Sequence, residues 1–386
     1  MVPEGWKKAR FSEVATIANG QVDPRIEPYS EMLHIGPENV SAHTGQVTGC
    51  KTGKELGLIS GKYEFDEEAI VYSKIRPSLN KVCRPRSKGL CSADMYPIWP
   101  TSEVSADYLY QYMLSEHFCR AAVAMSMRTG MPKINRSDLN SIRVLYPPLS
   151  EQKRISQVLS AWDEAITTTE RLIEVSQQQK NALMQQLLTG KRRLPGFEGE
   201  WGKVELKEAL DYQQPGQFIV KSTEYSNNYK TPVLTAGKSF VLGYSNEEDG
   251  VYDQGLPVII FDDFTTASRL VGFPFKLKSS AIKILTSRPG FSVKYFFEAM
   301  QMIPFVVGGH QRHWISIFSN LVIPCPSFEE QKAIAEVLSQ ADAEIEAQQL
   351  RLDCLRQEKK ALMQQLLTGK RRVKVEATAP TEEAAC

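Results

Sequence analysis

Residues 182–193 read ALMQQLLTGKRR, and residues 361–372 read the same twelve letters again. That identity closes a longer repeat. At an offset of 179, residues 151–193 align without a gap on 330–372, and 23 of the 43 positions are identical, too many for chance. Both copies open on Glu-Gln-Lys and carry Val-Leu-Ser seven residues later, from Val158 and Val337. Two generic helices would not converge on Thr189-Gly190-Lys191 and Thr368-Gly369-Lys370, which lie beyond the helical pattern. Weaker matches run backwards from the repeat: Gly130 with Gly309, Lys133 with Arg312, Ile142 with Leu321, Pro147 with Pro326. The starts are also alike, WKKARFSEV from Trp6 and WGKVELKEA from Trp201. The chain therefore reads as two units, each a variable domain of 130–150 residues followed by a long helix.

The helical reading rests on spacing. After the Pro147-Pro148 breaker, Ser150, Gln152 and Lys153 mark a helix start. Apolar or small residues then recur at 155, 159, 162, 166, 169, 173, 176, 183 and 187, alternating steps of three and four as in a coiled-coil seam. The register also selects position 180, which is lysine. The second copy gives Ile334, Leu338, Ala341, Ile345, Gln348, Leu352, Leu355, Leu362 and Leu366, with lysine again at the seam position 359. Gly190 and Gly369 are expected to end the helices in the left-handed conformation. A helix of nearly 40 residues spans roughly 55–60 Å at ~1.5 Å per residue. It cannot bury its seam alone, so each copy is expected to pair with the other; homodimerisation through these helices is the competing arrangement.

The variable domains read as mixed α/β. LHIGPENV, AIVYSKI and SIRVLYP in the first, and TPVLT, SFVLGY, PVIIFDDF and SSAIKIL in the second, look like strands. Residues 107–127 and the stretch VKYFFEAMQM look helical. One framework with two diverged surfaces suggests two different targets. The stretch 74–88 holds Lys74, Arg76, Lys81, Arg84, Arg86 and Lys88 with no acid, a plausible phosphate-binding stripe, with Asn80 inside it. A solvated surface loop is the plainer alternative. Before the last strand of the first domain lies a loop with Arg128, Thr129, Gly130, Lys133 and Asn135; its counterpart carries His310, Gln311, Arg312 and His313. Glycine permits close backbone approach, and Arg, Gln and Asn make paired hydrogen bonds to base edges. In the second domain Asp263, Thr265 and Thr266 suggest a structural or base-contacting turn. Adjacent carboxylates on a strand point to opposite faces, which argues against a metal pair. Lys238, Lys276 and Lys278 are further candidates for phosphate contacts.

Several function classes lack their signatures. The 386 residues are too many for one ordinary core, and the mean hydropathy of -0.30 suits a soluble protein. No apolar run is long enough for a bilayer, and the N-terminus has no signal-peptide core. The seven cysteines are scattered without a C-x-x-C pair, so neither a disulfide framework nor a zinc site is indicated and a cytoplasmic location is expected. The five histidines show no metal-ligand spacing. Gly237-Lys238-Ser239 hints at a nucleotide loop, but Pro232 stands where its first glycine belongs. Net charge is only +1, so a DNA surface has to come from local clustering. No methyltransferase N/D-P-P-Y/F motif and no nuclease P-D…E/D-x-K arrangement is present.

Taken in order, PPLSEQKRI at 147–155, SFEEQKAI at 327–334, the two LLTGKRR ends, LPGFEGEW at 194–201, YSKIRP at 72–77, CSADMYP at 91–97, VLTAGKSFVLGY at 233–244 and VIIFDDFTT at 258–266 give the chain its family likeness. Up to about residue 372 it resembles the specificity subunits of type I restriction-modification systems. The resemblance implies an α+β fold: two mixed α/β target-recognition domains separated by two long antiparallel coiled-coil helices in a pseudo-twofold tandem repeat. It places the first recognition domain at 1–149, the first spacer helix at 150–193, the second domain at 194–328 and the second helix at 329–372. The polar, acidic stretch 373–386 is expected to form a disordered tail. The resemblance further implies a non-catalytic subunit that reads a bipartite site in double-stranded DNA, one domain per half-site. Such a subunit recruits two modification (methyltransferase) subunits and then restriction/translocase subunits. S-adenosylmethionine, ATP and Mg would sit on those partners, with no cofactor or metal on this chain. The alternative is a DNA methyltransferase or nuclease with a cryptic catalytic site.

Overall fold

The computed structural model describes residues 2–126, 132–237, 239–304 and 313–374. The chain divides into two compact units, residues 1–169 with 351–386, and residues 170–350. Two helices of 39 residues, Leu149–Leu187 and Phe328–Leu366, each begin in one unit and end in the other.

The first unit holds a four-stranded antiparallel sheet in the order Ala15–Ile17, Met95–Pro100, Ile70–Ser73, Val82–Cys83. A second sheet orders Lys51–Thr52, Leu33–Ile35, Gly89–Cys91 and Tyr63–Phe65, with one parallel pairing. A ribbon of Lys7–Arg10 against Arg143–Tyr146 leads into the first long helix. The second unit repeats this plan. Its four-stranded sheet runs Leu210–Gln213, Ile282–Ser287, Val258–Asp262, Ser268–Val271, and its ribbon pairs Gly202–Glu205 with Val322–Cys325. Its other sheet has three strands, Val241–Ser245, Thr231–Leu234 and Lys276–Leu277.

The central strands are apolar runs buried on both faces: all four residues of Ile70–Ser73, and Val258 to Phe261 in the second unit. One expected helix is in fact two. Residues 107–127 read as a single helix, but Ser115 is extended (φ -66°, ψ 150°) and its Oγ accepts from the Phe118 amide. It thereby ends Ala106–Leu114 and caps Glu116–Met125. A serine offers this local bond at no cost in burial, and apolar spacing cannot register it.

The repeated residues dock the helices. In the first unit Gln152 accepts from the Ser105 amide (2.8 Å) and donates to Pro147 O (2.8 Å). In the second, Gln331 accepts from the Ser292 amide (2.9 Å) and donates to Pro326 O (3.0 Å). Arg372 makes two hydrogen bonds of 2.7 Å to Glu151 beside the Trp6 ring. Arg193 does the same to Glu330 at 2.6 and 2.7 Å beside Trp201. Glu151 and Glu330 are buried while both arginines keep some contact with solvent, and bidentate pairs of this kind hold geometry well. The two helix starts and the two GKRR ends are thus partners in crossed fashion, which is why both ends of the repeat stayed alike.

The lysines at the seam pair the same way. In the first unit Lys359 bonds Asp163 (2.5 Å), whose other oxygen accepts from Gln111 (2.9 Å). In the second, Lys180 bonds Asp342 (2.7 Å) and faces Glu298 (3.1 Å). Both lysines are nine-tenths buried. Within the second unit Ser176 meets Gln348 while Lys180 meets Asp342, so the helices run antiparallel. Ile155, Leu159, Leu366 and Leu367 join the first unit's core; Met184, Leu187, Ile334 and Leu338 join the second's. Gly190 and Gly369 close the helices at φ +72° and +68°. No helix among the described residues is long and apolar enough to cross a membrane.

Candidate nucleic-acid interface

In each unit the chain leaves its central strand into a turn, and that turn is tied to the end of the variable loop. In the first unit the Arg76 amide donates to Pro132 O (2.8 Å) and the Ile134 amide to Lys74 O (2.9 Å), so 74–76 and 132–134 form one short ladder. Two sequence candidates that lie far apart in the chain become one surface there. Arg76 sits at φ +47° and, like Lys133, is exposed. Beneath them Arg136 lies over the rings of Tyr96 (5.1 Å) and Tyr63 (5.8 Å), and Lys74 over Tyr96 (5.3 Å). Burial, and then the neighbouring Lys133 charge, lower the Lys74 pKa; Asp94 at 3.8 Å opposes the shift. Arg136 is held on aromatic faces, and Lys74 is shared between Tyr96 and Asp94, so that with Arg76 and Lys133 the cations outnumber the acid at the turn. Asn135 caps the helix Arg136–Ser141, its Oδ1 accepting from the Asp138 amide.

The second unit has the same clamp with other chemistry. The His313 amide donates to Asp263 O (2.9 Å) and the Trp314 amide to Asp263 Oδ1 (2.8 Å). Asp263 is buried and lies 3.6 Å from the buried Lys283. It therefore fixes the turn to the loop end. Asp262 accepts from the Phe264 and Thr265 amides (3.0 and 2.9 Å), and Thr266 closes the turn at φ +59°. Phe264 and Thr265 are exposed on it. Nearby in sequence, Lys278 lies over the Tyr225 ring at 5.6 Å.

The remaining candidates fall into two groups. Arg128, Thr129, Gly130, Lys238, His310, Gln311 and Arg312 lie outside the described residues. Others are engaged internally. Asn80 is buried and donates to Met113 O and Leu114 O. Lys81 donates to Pro37 O, Arg84 pairs with Asp107 and Glu68, and Arg86 pairs with Asp107. Lys276 is buried between Asp249 O and Glu247. The basic run 74–88 has no acid of its own, but the fold brings acids to it from elsewhere, so only its start joins the clamp. Tyr63, Tyr96, Arg136, Tyr225 and Phe264 were not among the sequence candidates. Arg136 stood next to Asn135, but its aromatic partners come from strands some 40 to 70 residues away, and no local signal links them.

An exposed guanidinium and ammonium on a rigid turn suit phosphate oxygens and base edges. Among the described residues no group of three metal-ligating side chains is assembled.

The profile of a family described as "Type I restriction modification DNA specificity domain" matches residues 3–177 and 198–352. The specificity subunit of the Escherichia coli type I restriction enzyme EcoR124I/EcoR124II is 46% identical over 36% of this chain and 35% of its own length. That of E. coli EcoDI is 37% identical over 48% of this chain and 41% of its own length. This chain thus spans less than half the length of either relative. The MjaVIII specificity subunit of Methanocaldococcus jannaschii is 28% identical over 97% of this chain and 94% of its own length. Among solved structures, the type I restriction-modification system S subunit from M. genitalium superposes with a TM-score of 0.66 at 16% identity, covering 94% of this chain and 96% of that one. A chain from "Structural basis underlying complex assembly and conformational transition of the type I R-M system" superposes at 0.57 with 18% identity, covering 96% and 100%. These two likenesses are of fold.

Proposed function

The chain belongs to the family of type I restriction-modification DNA specificity domains, and from that premise we propose that it is the non-catalytic subunit that selects a bipartite DNA site for a modification and restriction complex. Each unit reads one half-site through its turn-and-loop clamp. The observation that carries this reading is the clamp itself: the backbone bond from the Ile134 amide to Lys74 O recurs from the His313 amide to Asp263 O, with different side chains around it. A repeated scaffold with divergent tips is what two half-sites of different sequence require.

In the first unit Arg76 and Lys133 contact the duplex, with Lys74 and Arg136 supplying positive potential behind them. In the second, Thr265, Thr266, Phe264 and Lys278 meet bases and backbone. The long helices, about 58 Å each at ~1.5 Å per residue, set the gap between the half-sites. Modification subunits that bind S-adenosylmethionine and restriction subunits that use ATP and Mg supply the chemistry, including extrusion of the target adenine. Sequencing of methylated DNA from cells expressing this chain with its modification subunits tests the proposal. A split motif with a fixed gap is the expected result. A continuous motif, or methylation that is independent of this chain, overturns it.

A further inference from the structure

The repeated GKRR divides into two parts. Its last arginine is fully engaged in both copies, Arg193 on Glu330 and Trp201, Arg372 on Glu151 and Trp6. The Lys-Arg before it is not. Lys191, Arg192, Lys370 and Arg371 are all exposed, and among the described residues their side chains make no hydrogen bond, ion pair or ring contact. Their backbone is fixed all the same. The Arg192 amide donates to Gln186 O and the Arg371 amide to Gln365 O, both at 3.1 Å, just beyond a glycine at positive φ. Each pair therefore stands at a rigid helix end.

Internal packing accounts for the identity of Arg193 with Arg372 and does not account for Lys191-Arg192 with Lys370-Arg371. The duplication supplies the discriminating comparison. Surfaces that read sequence have diverged between the units. A contact to the phosphate backbone meets the same polymer under both half-sites and need not diverge. We propose that Lys191-Arg192 and Lys370-Arg371 are sequence-independent phosphate contacts to duplex DNA, one basic pair for each half-site. This inference rests on the DNA-reading function proposed above.

The test uses the full chain in complex with its modification subunits. Binding to a duplex carrying the cognate site, and to an unrelated duplex, is measured by fluorescence anisotropy across a salt series. K191Q/R192Q and K370Q/R371Q should each lower the slope of log affinity against log salt by about 1.8, at ~0.9 per phosphate contact. Affinity for both duplexes should fall by the same factor, leaving their ratio unchanged. The charge-preserving K191R/R192K should keep the slope. An unchanged slope in both glutamine variants overturns the inference, with or without loss of co-purification; loss would make the tips a protein-docking surface. A changed cognate-to-unrelated ratio overturns it too, as base reading. If the wild-type complex itself distinguishes no duplex, the DNA-reading function fails first and takes this inference with it.

Discussion

In the first unit the strand Ile70–Ser73 runs into a turn that carries Lys74 and Arg76; in the second, Val258–Asp262 runs into one that carries Asp263, Thr265 and Thr266. Both turns are tied to the end of the variable loop through its backbone amides, yet one offers cations and the other hydroxyls and an exposed ring. A second difference lies underneath. The buried lysine of the first unit meets Asp163, whose other oxygen is held by the neutral Gln111; that of the second meets Asp342 and the charged Glu298. The two units thus keep a common frame while their tips and one core position have drifted. The comparison separates what folding requires from what a target requires.

The largest expected effect comes from breaking that core difference. Lys180→Met leaves Glu298, only 1% exposed, without its counter-ion and should destabilise the second unit by about 3–4 kcal/mol, somewhat less than a fully buried pair because Asp342 is half exposed. Lys359→Met leaves one partly exposed carboxylate and should cost the first unit about 1–2 kcal/mol. Hydrogen exchange, read separately in the two units, measures both. Equal losses would show the two sites to be energetically alike.

Glu298 sharpens the same comparison through pH. Burial raises its pKa above the ordinary 4.5, against the opposing pull of the Lys180 charge and hydrogen bond. An acid whose folded pKa is raised stabilises the fold below the unfolded value, and that contribution is lost as pH rises through the folded value. The second unit should therefore lose stability as pH rises from 4.5, and Glu298→Gln should flatten that slope. The first unit, with Gln111 at this place, should show no such component. Thermal melts between pH 4 and 8 decide it.

At the tips, Arg76→Ala with Lys133→Ala should weaken binding by roughly 1–2 kcal/mol and reduce the salt slope by about 2. Thr265→Ala with Thr266→Ala should leave the salt slope unchanged and relax base preference in one half-site only. A similar salt response in both double variants would remove the proposed distinction between the tips. The smallest effect is Ser115→Ala, which removes a helix cap and should cost the first unit about 1 kcal/mol without changing the site read.

Much of the frame was legible in the sequence because it is periodic and duplicated. The alternating spacing of three and four marks the seams from Ile155 to Leu187 and from Ile334 to Leu366, and their interruptions, Lys180 and Lys359, make the ion pairs with Asp342 and Asp163. The identity of the repeat's two ends has a physical source in Glu151 with Arg372 and Glu330 with Arg193. The site was harder to see. A basic run says where charges are in the chain, not which acids the fold will set against them, and Arg84 and Arg86 meet Asp107 from a helix about 20 residues later. Lys276 and Asp263 look like surface polar residues in sequence and are buried partners of Glu247 and Lys283. Arg136 needed Tyr63 and Tyr96 to be visible as part of a platform.

The central claim is that each unit reads its own half of a split site while the repeated helices read no sequence. Exchanging residues 1–149 for those of another family member, followed by sequencing of methylated DNA, tests it most directly. One half-site should change, with the other half and the gap between them preserved. A motif changed in both halves, or changed in neither, would contradict the account.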